Sequence, residues 1–538
     1  MVQLNVGRDG VATAEPDLTP LPPGTQLRVL FVYPNVQRVW TFQIGIGILS
    51  SCLKQMGAET QLFDTTETPR GEESAPFRAI LDDYQPDLIA YSIRSNEWTL
   101  TQELLTIGRA RRIPQILGGP HATHAPEDCI PFADAIVIGE GEGAMADIAR
   151  ALASGEPLAG IANTWVNTQR GVVKTPKRDL IRDLDTLPFP DWRLFDEVHY
   201  KKSFIRDIMG GNLEVVAAIE GSRGCPFTCT YCSNSTLMED YKGQGRWRRE
   251  KSPERMVEEL EAFRREFGRL DFVYWVDEIW LTGLDRLKAF RDLYKPRVGV
   301  PFSIMERPEC ITEEKIAVIA DAGLHFVAIG LESGDEELRA GLLNRRTSIE
   351  ILRQAFTLRK KYKIKVHAFT MVGLPGQDEA SMMKTWRFMR EVMPTSAQFS
   401  YFFPLKGTKL HDQSVDMGIY TPGEMIESYH AGSVLDQEDV IGHDVLTRYH
   451  DLFNKYVTRQ GVGGALAFHL GRKNRLAYWW FIKASPVLIA QWRRGVNRFG
   501  NLLRCTPREA IRKIVANAVD LFAIVNPFAS GTSVSRKP

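Results

Sequence analysis

Before residue 164, short apolar runs alternate with longer amphipathic stretches. Val29-Leu-Phe-Val-Tyr33 is apolar throughout and stops at Pro34, which predicts a buried strand. Ile46 to Met56 has helical spacing, and Gly57 ends it. Thr60–Asp64, Leu88–Ser92, Pro114–Gly118 and Ala135–Gly139 read as four further strands. Strands separated by helical stretches predict an α/β fold with a doubly wound, Rossmann-like parallel sheet over residues 27–163. Residues 1–26, rich in Pro, Gly, Thr and charge, are expected to form a disordered extension. Residues 164–212 read as a connector, with Asp185–Trp192 punctuated by prolines. From residue 213 the alternation resumes. Val215–Ile219, Phe272–Val276, Pro301–Met305, Phe326–Gly330, Val366–Val372 and Ala397–Phe403 are the strand candidates. Six such units predict a partial (β/α)6 barrel over 213–410, followed by a C-terminal helical domain over 411–538.

A chain of 538 residues exceeds what one core supports, in keeping with this division. A formal net charge of +1 offers no global attraction for nucleic acid, which is not an expected partner. No basic-then-apolar leader and no run of about 18 apolar residues is present, so neither secretion nor a spanning helix is expected. A cytoplasmic location follows as the expectation. The seven cysteines are odd in number and three crowd into eight residues, which suits a metal site in a reducing compartment better than a disulfide framework.

Those three are Cys225-Pro-Phe-Thr-Cys229-Thr-Tyr-Cys232, directly after a predicted strand. Clustered thiolates let one short loop wrap an iron–sulfur cubane, and three ligands for four irons leave one iron open to a small molecule. A zinc knuckle or three packed thiols are the plainer alternatives. Zinc asks for four protein ligands, and Cys310 and Cys505 are too distant in sequence to assign as the fourth. The Cys-x-x-x-Cys-x-x-Cys spacing, with an aromatic residue before the last Cys, resembles the radical S-adenosylmethionine (SAM) superfamily. The resemblance implies a 4Fe-4S cluster on Cys225, Cys229 and Cys232, with SAM chelated at the open iron and cleaved reductively to a 5′-deoxyadenosyl radical. It further implies that Glu332, in Gly330-Leu-Glu-Ser-Gly334, holds the SAM ribose with help from Ser333, and that Arg345 faces the SAM carboxylate. Gly373 and Gly376, in Val372-Gly-Leu-Pro-Gly376, correspond to the strand end beside adenine. Asp277 and Glu278 occupy the position that contacts the SAM amino group.

The sheet ahead of the barrel resembles the cobalamin-binding domain of the B12-dependent radical SAM class. The residues that carry the likeness are Gly118-Gly119-Pro-His121-Ala-Thr and Gly139-Glu-Gly141-Glu-Gly143. A nucleotide site or plain turns would use such glycines as well. The class implies cobalamin at these loops, with Gly118, Gly119, His121, Gly139 and Gly141 among its contacts. The loop Pro34–Gln43 after the first strand carries no histidine, so the lower face of cobalt is expected to lack a side-chain ligand from it. Arg94, Asn96 and Trp98 are expected to crowd that face instead, and His121 and His124 read as turn histidines. The resemblance implies a C-methyltransferase that uses two SAM molecules and methylcobalamin on an apolar or polycyclic substrate. The alternatives are an oxidative cyclase of the Mg-protoporphyrin ester type and a catalytically inert cobalamin sensor. A methylthiotransferase is disfavoured because the first domain holds no second cysteine triad. The small-molecule substrate and an external flavodoxin- or ferredoxin-type electron donor are the expected partners.

One segment departs from the balanced charge. Residues 452–508 contain eleven Lys or Arg and no Asp or Glu, interleaved with aromatics. That pattern suits peripheral contact with the inner face of a membrane and a lipid-like substrate. RNA binding and a packed helical domain with a basic face are the competing readings.

Overall fold

The computed structural model describes residues 15–206, 213–423, 426–459 and 462–484. The chain divides into two compact units, Met1–Thr458 and Arg459–Pro538.

In the first unit a seven-stranded sheet has the order β2-β1-β3-β4-β5-β6-β7. Its strands are β1 (Arg28–Tyr33), β2 (Glu59–Asp64), β3 (Leu88–Ser92), β4 (Gln115–Gly118), β5 (Ala135–Val137), β6 (Thr164–Thr168) and β7 (Gly171–Lys174). β1 to β5 are parallel, as the alternation of strands with helical stretches predicts. β2 leaves β1 on one side and β3 returns on the other, which opens a crevice at the carboxyl ends of the strands. The hairpin β6–β7 adds antiparallel strands to the edge. The sheet therefore runs to Lys174, past the boundary expected at 163. Val172 and Val173 on the outermost strand are exposed, and a strand with little to bury has a faint sequence signal.

The segments expected to be loose are bound. The Leu21 amide donates to the Met56 carbonyl at 2.8 Å, and Asp17 pairs with Arg150 at 3.0 Å, so the extension is docked from Glu15 onward. The connector is buried as well. Trp192 and Tyr200 pack their rings edge-on against Phe263 of the barrel helix Pro253–Phe267, each with centroids 5.4 Å apart. The His199 ring bonds Asp64 of β2 at 2.5 Å and the Thr41 carbonyl at 2.9 Å.

The six barrel strands are β8 (Val216–Ile219), β11 (Phe272–Trp275), β12 (Phe302–Glu306), β13 (Leu324–Glu332), β14 (Lys365–Val372) and β15 (Ser396–Tyr401). They form one open parallel sheet in the order β15-β14-β13-β12-β11-β8. A separate two-stranded antiparallel ribbon is formed by β9 (Ser222–Arg223), which follows β8 in the chain, and β10 (Arg249–Glu250). Alternate strand residues share a face. Val216, Phe272, Phe326 and Ala328 form one cluster, with half-buried Phe204, Tyr274, Met305 and Phe369 packed on it.

The helical domain expected from residue 411 begins later. Helix His443–Tyr456 buries Leu446, Tyr449, Leu452 and Phe453, and the Asn454 amide bonds both the N–H and the C=O of Phe399 on β15. Residues 411–458 are thus part of the barrel unit. In the second unit the helices Val462–Lys473 and Arg475–Tyr478 are described, and residues 485–508 of the basic segment lie outside the described residues. Among the described residues no helix is long and apolar enough to cross a membrane.

Candidate active site

Cys225, Cys229 and Cys232 lie on the loop between β9 and the helix Ser233–Asp240. The loop is fixed from several directions. The Trp247 indole donates to the Cys225 carbonyl at 3.0 Å. Ser235 Oγ donates to the carbonyls of Cys229 and Cys232 at 2.8 Å each. Thr230 N–H reaches the Leu343 carbonyl at 3.2 Å, and Asn344 Nδ2 reaches the Thr228 carbonyl at 2.9 Å. A braced loop carrying three unpaired thiols fits a cluster. Cations suit the thiolates. Arg307 Nη1 lies 2.8 Å from Cys229 Sγ, and its guanidinium sits 3.8 Å over the Phe227 ring.

Glu332 ends β13 with φ of 62°, at a register shift between Gly330 and Glu332 against β14. A non-glycine residue in that region is strained, and such strain gathers at ligand sites. Arg345 stands beside it, with Nη1 3.5 Å from Glu332 Oε1 and 3.1 Å from Tyr231 Oη. Its Nε is buried without a partner, an unmet donor next to the cysteine loop. A carboxylate and a guanidinium fit the ribose and carboxylate of SAM. The other expected SAM contacts sit differently. Ser333 is fully buried, and its hydroxyl accepts from the Asp335 amide at 3.1 Å, so it shapes the turn rather than facing a ligand. Asp277 accepts from the Gly221 amide at 3.0 Å and from the Ser222 hydroxyl. Burial pushes its carboxyl up to about 7 against those hydrogen bonds. It braces the strand leading to the cysteines, while Glu278 lines the cleft. Gly373 has φ of 72°, and a Cβ there would meet Leu446 at 2.8 Å, so helix packing requires this glycine. Gly376 has open space at its Cα and donates its N–H to Gln437 Oε1 at 3.2 Å.

Facing the cysteine loop is the carboxyl edge of the first sheet. A cavity of about 370 Å³ is lined there by Gly118, Gly119, Gly139 and Gly141, with Ala90 and Gly45. It adjoins a cleft of about 770 Å³ whose far wall includes Ser222, Arg223, Gly224, Tyr274 and Glu278 of the barrel. Walls stripped of side chains at strand ends fit a large planar ligand with a nucleotide tail. The loop after β1 contributes Gln37, Val39, Thr41 and Gln43 to the cleft and no histidine. Arg94 reaches the cleft as expected. Trp98 does not: it is buried against the His121 ring at 5.1 Å and Phe132 at 5.4 Å. His121 is buried too, with Nδ1 3.1 Å from Ser95 Oγ, and burial lowers it to about 4. Asn96 donates to the Glu427 carbonyl at 3.3 Å. His124 is the histidine of that helix that lines the cleft.

Sequence reasoning missed the groups that join the two walls. Arg223, two residues before the first cysteine, contacts Glu142 at 2.7 Å, Glu220 at 3.0 Å and Glu140 at 3.1 Å. Burial works to raise the Glu140 carboxyl, but Arg223 and Arg249 together hold it below its usual value. Tyr241 seats its hydroxyl against Gly139, where a Cβ would lie 1.7 Å from it. The alternating Gly–Glu run 139–143 carried a signal for the acids. Nothing in the sequence pairs them with Arg223.

Comparison with known proteins agrees with this arrangement. Residues 219–389 match the Radical SAM superfamily, and residues 39–149 match the B12 binding domain. An uncharacterized methyltransferase of Pyrococcus horikoshii is 24% identical over 345 residues, 62% of this chain and 71% of its own. The anaerobic magnesium-protoporphyrin IX monomethyl ester cyclase of Rubrivivax gelatinosus is 27% identical over 398 residues, 70% of this chain and 68% of its own. The radical S-adenosylmethionine methyltransferase TsrM of Kitasatospora setae, solved with cobalamin and a 4Fe-4S cluster, superposes with a TM-score of 0.58 at 19% identity. That match covers 74% of this chain and 80% of TsrM. The chain thus carries the two domains that define the B12-dependent radical SAM enzymes, a B12 binding domain followed by a radical SAM domain. Its cofactors are a 4Fe-4S cluster, SAM and cobalamin.

Proposed function

We propose that the enzyme transfers a methyl group from SAM, by way of cobalamin, to an unactivated carbon of an apolar or polycyclic substrate. One observation carries the reading: Gly224 and Ser233, which flank the cysteine loop, and the glycine-lined strand ends Gly119 and Gly139 line one cleft. Bound there, the cluster and SAM supply a hydrogen-abstracting radical, and cobalamin supplies the methyl group. The chain's residues do the rest. Glu332 accepts the ribose hydroxyls, and Arg345 answers the SAM carboxylate. Phe204, Tyr274, Met305 and Phe369 give the barrel face an apolar layer, and Phe204 and Tyr274 also line the cleft. Such a layer seats a hydrocarbon ring and keeps water from the radical. Outside the barrel, Leu466, Leu470, Leu476, Trp479 and Trp480 are exposed on the second unit, which supports delivery of the substrate from a lipid surface.

Oxidative cyclisation is the second reading, favoured by the cyclase relative. SAM labelled in its methyl group separates the two. Methylation puts the label in the product, and cyclisation leaves it out while 5′-deoxyadenosine still accumulates. If the reduced, fully loaded protein forms no 5′-deoxyadenosine, both fail and an inert cobalamin sensor remains.

A further inference from the structure

Residues 246–250 back the cysteine loop and contribute side chains both to the cleft and to an outer groove. Trp247 and Arg249 line the cleft. Arg246, Arg248 and Glu250 line an outer groove of about 750 Å³, with Arg249 reaching both sides. The groove wall also touches the cluster loop directly. Arg248 Nη1 donates to the Gly224 carbonyl at 3.1 Å, and the Trp247 indole to the Cys225 carbonyl at 3.0 Å.

The groove is basic. Six cationic side chains line it against three carboxylates, Asp179, Asp185 and Glu250. From Lys242 to Lys251 five of ten residues are basic and one is acidic. Some of that charge is answered from behind: Arg249 by Glu140 at 2.9 Å and Lys251 by Glu259 at 2.7 Å. Glu250 is shared between Arg248 at 3.1 Å and Arg286 at 3.4 Å. The outermost cations are Arg246, which is exposed, and Arg182, whose side chain is 74% exposed with Asp179 at 3.6 Å. A structural brace would bury such groups against their partners. Charge held out to solvent over the back of a redox loop serves an arriving anion better.

We propose that this groove docks a small acidic one-electron carrier protein, which delivers the reducing electron to the cluster through the wall at Trp247 and Arg248. The carrier gives up one electron and is oxidised by one step, and the cluster takes that electron. The inference rests on Cys225, Cys229 and Cys232 being the cluster seat. Arg182 and Arg246 attract the carrier's acidic face, and the route to the cluster runs through Trp247 and Arg248, which bond the cluster loop. Cobalamin is reached from the cleft and the carrier from the groove, so the electron path and the methyl path do not compete for one entrance.

The test uses the fully loaded enzyme and the R182E/R246E variant, with a reduced acidic flavodoxin as probe and dithionite as a small control reductant. Cluster reduction is followed by visible bleaching and by EPR, without substrate turnover. At low ionic strength the flavodoxin-driven rate should fall at least tenfold in the variant, while the dithionite rate is unchanged. Added salt should slow the wild type toward the variant, because screening removes the steering. A milder R246Q variant should fall between the two. Equal flavodoxin rates in wild type and R182E/R246E would overturn the docking site. So would a proportional loss with dithionite, since the substitutions would then act on the cluster itself. Failure of dithionite to reduce the wild type would instead remove the cluster reading on which the proposal stands.

Discussion

Glu332 and the buried histidines show how single residues here carry cost for different ends. Glu332 holds a left-handed backbone at φ 62°, which costs about 1–3 kcal/mol and aims its carboxylate past the bulge toward Arg345. His121 and His367 contribute the opposite way. Each is at least nine-tenths buried, and burial lowers both to about 4. His121 packs on Trp98, and His367 lies between Phe326 and Phe369 with Nδ1 2.8 Å from Ser396 Oγ. The unfolded chain protonates a histidine near 6.5, so below that value it binds protons that the folded chain refuses. The stability the neutral rings allow is complete above about 6.5 and is lost as the pH falls toward 4. At pH 5 the loss is about 2 kcal/mol per histidine. The drop in melting temperature between pH 7 and pH 5 should therefore shrink when His121 and His367 are both replaced by Gln. An unchanged drop in the double variant would assign acid sensitivity to other groups.

At the scale of elements, the loop after β5 is where the two walls meet. Gly139 has φ of 75°, and its missing Cβ is the space that the Tyr241 hydroxyl fills from the barrel side. Gly139→Ala should destabilise the protein by about 1–3 kcal/mol and lower the cobalamin held per chain, because overpacking at this contact shifts the strand end that lines the cavity. Adding Tyr241→Ala should restore part of both losses, seen as a coupling in a double-mutant cycle of melting temperature and cobalamin content. Additive losses would separate Gly139 from Tyr241. The same loop shows what was legible in the sequence. Strands such as β1, β3 and β13 were readable because each is a largely apolar run, whereas β2 and β15 are polar at half or more of their positions. The cysteines were readable because their spacing is short and local. The glycines could be named, but not what fills them. Tyr241 and Leu446 arrive from distant chain positions. Asp277 and Glu278 could not be told apart, since neighbours at a strand end point to opposite sides. The hairpin β6–β7 buries too little to leave a pattern. Helix His443–Tyr456 was expected only as part of a C-terminal helical domain, because nothing local names β15 as the partner of its buried face.

At the scale of the whole molecule, the division at Thr458 decides how the basic segment can be tested. The residues that close the barrel edge, Leu446, Tyr449, Leu452, Phe453 and Asn454, all precede the division. Phe453 and Tyr456 are buried in the first unit, so these two aromatics of the segment serve the core and no lipid. The second unit presents its apolar side chains differently. Leu466 and Leu470 are one helical turn apart and exposed, and Leu476, Trp479 and Trp480 are at least half exposed. Arg472, Lys473 and Arg475 stand among them in sequence. Apolar and aromatic groups with cations between them match an anionic bilayer surface, where each Lys or Arg gains about 1 kcal/mol and Trp favours the interface. A chain ended at Thr458 should therefore keep the iron–sulfur absorption, hold cobalamin and cleave SAM under dithionite. It should lose sedimentation with vesicles containing anionic lipid, which the full chain shows at low salt and gives up as salt rises. Replacing Trp479 and Trp480 by Ser in the full chain should weaken vesicle binding at least tenfold while leaving cofactor content unchanged. If the full chain ignores anionic vesicles at low salt, the second unit has no lipid role, and the apolar layer of the barrel alone supports a hydrophobic substrate.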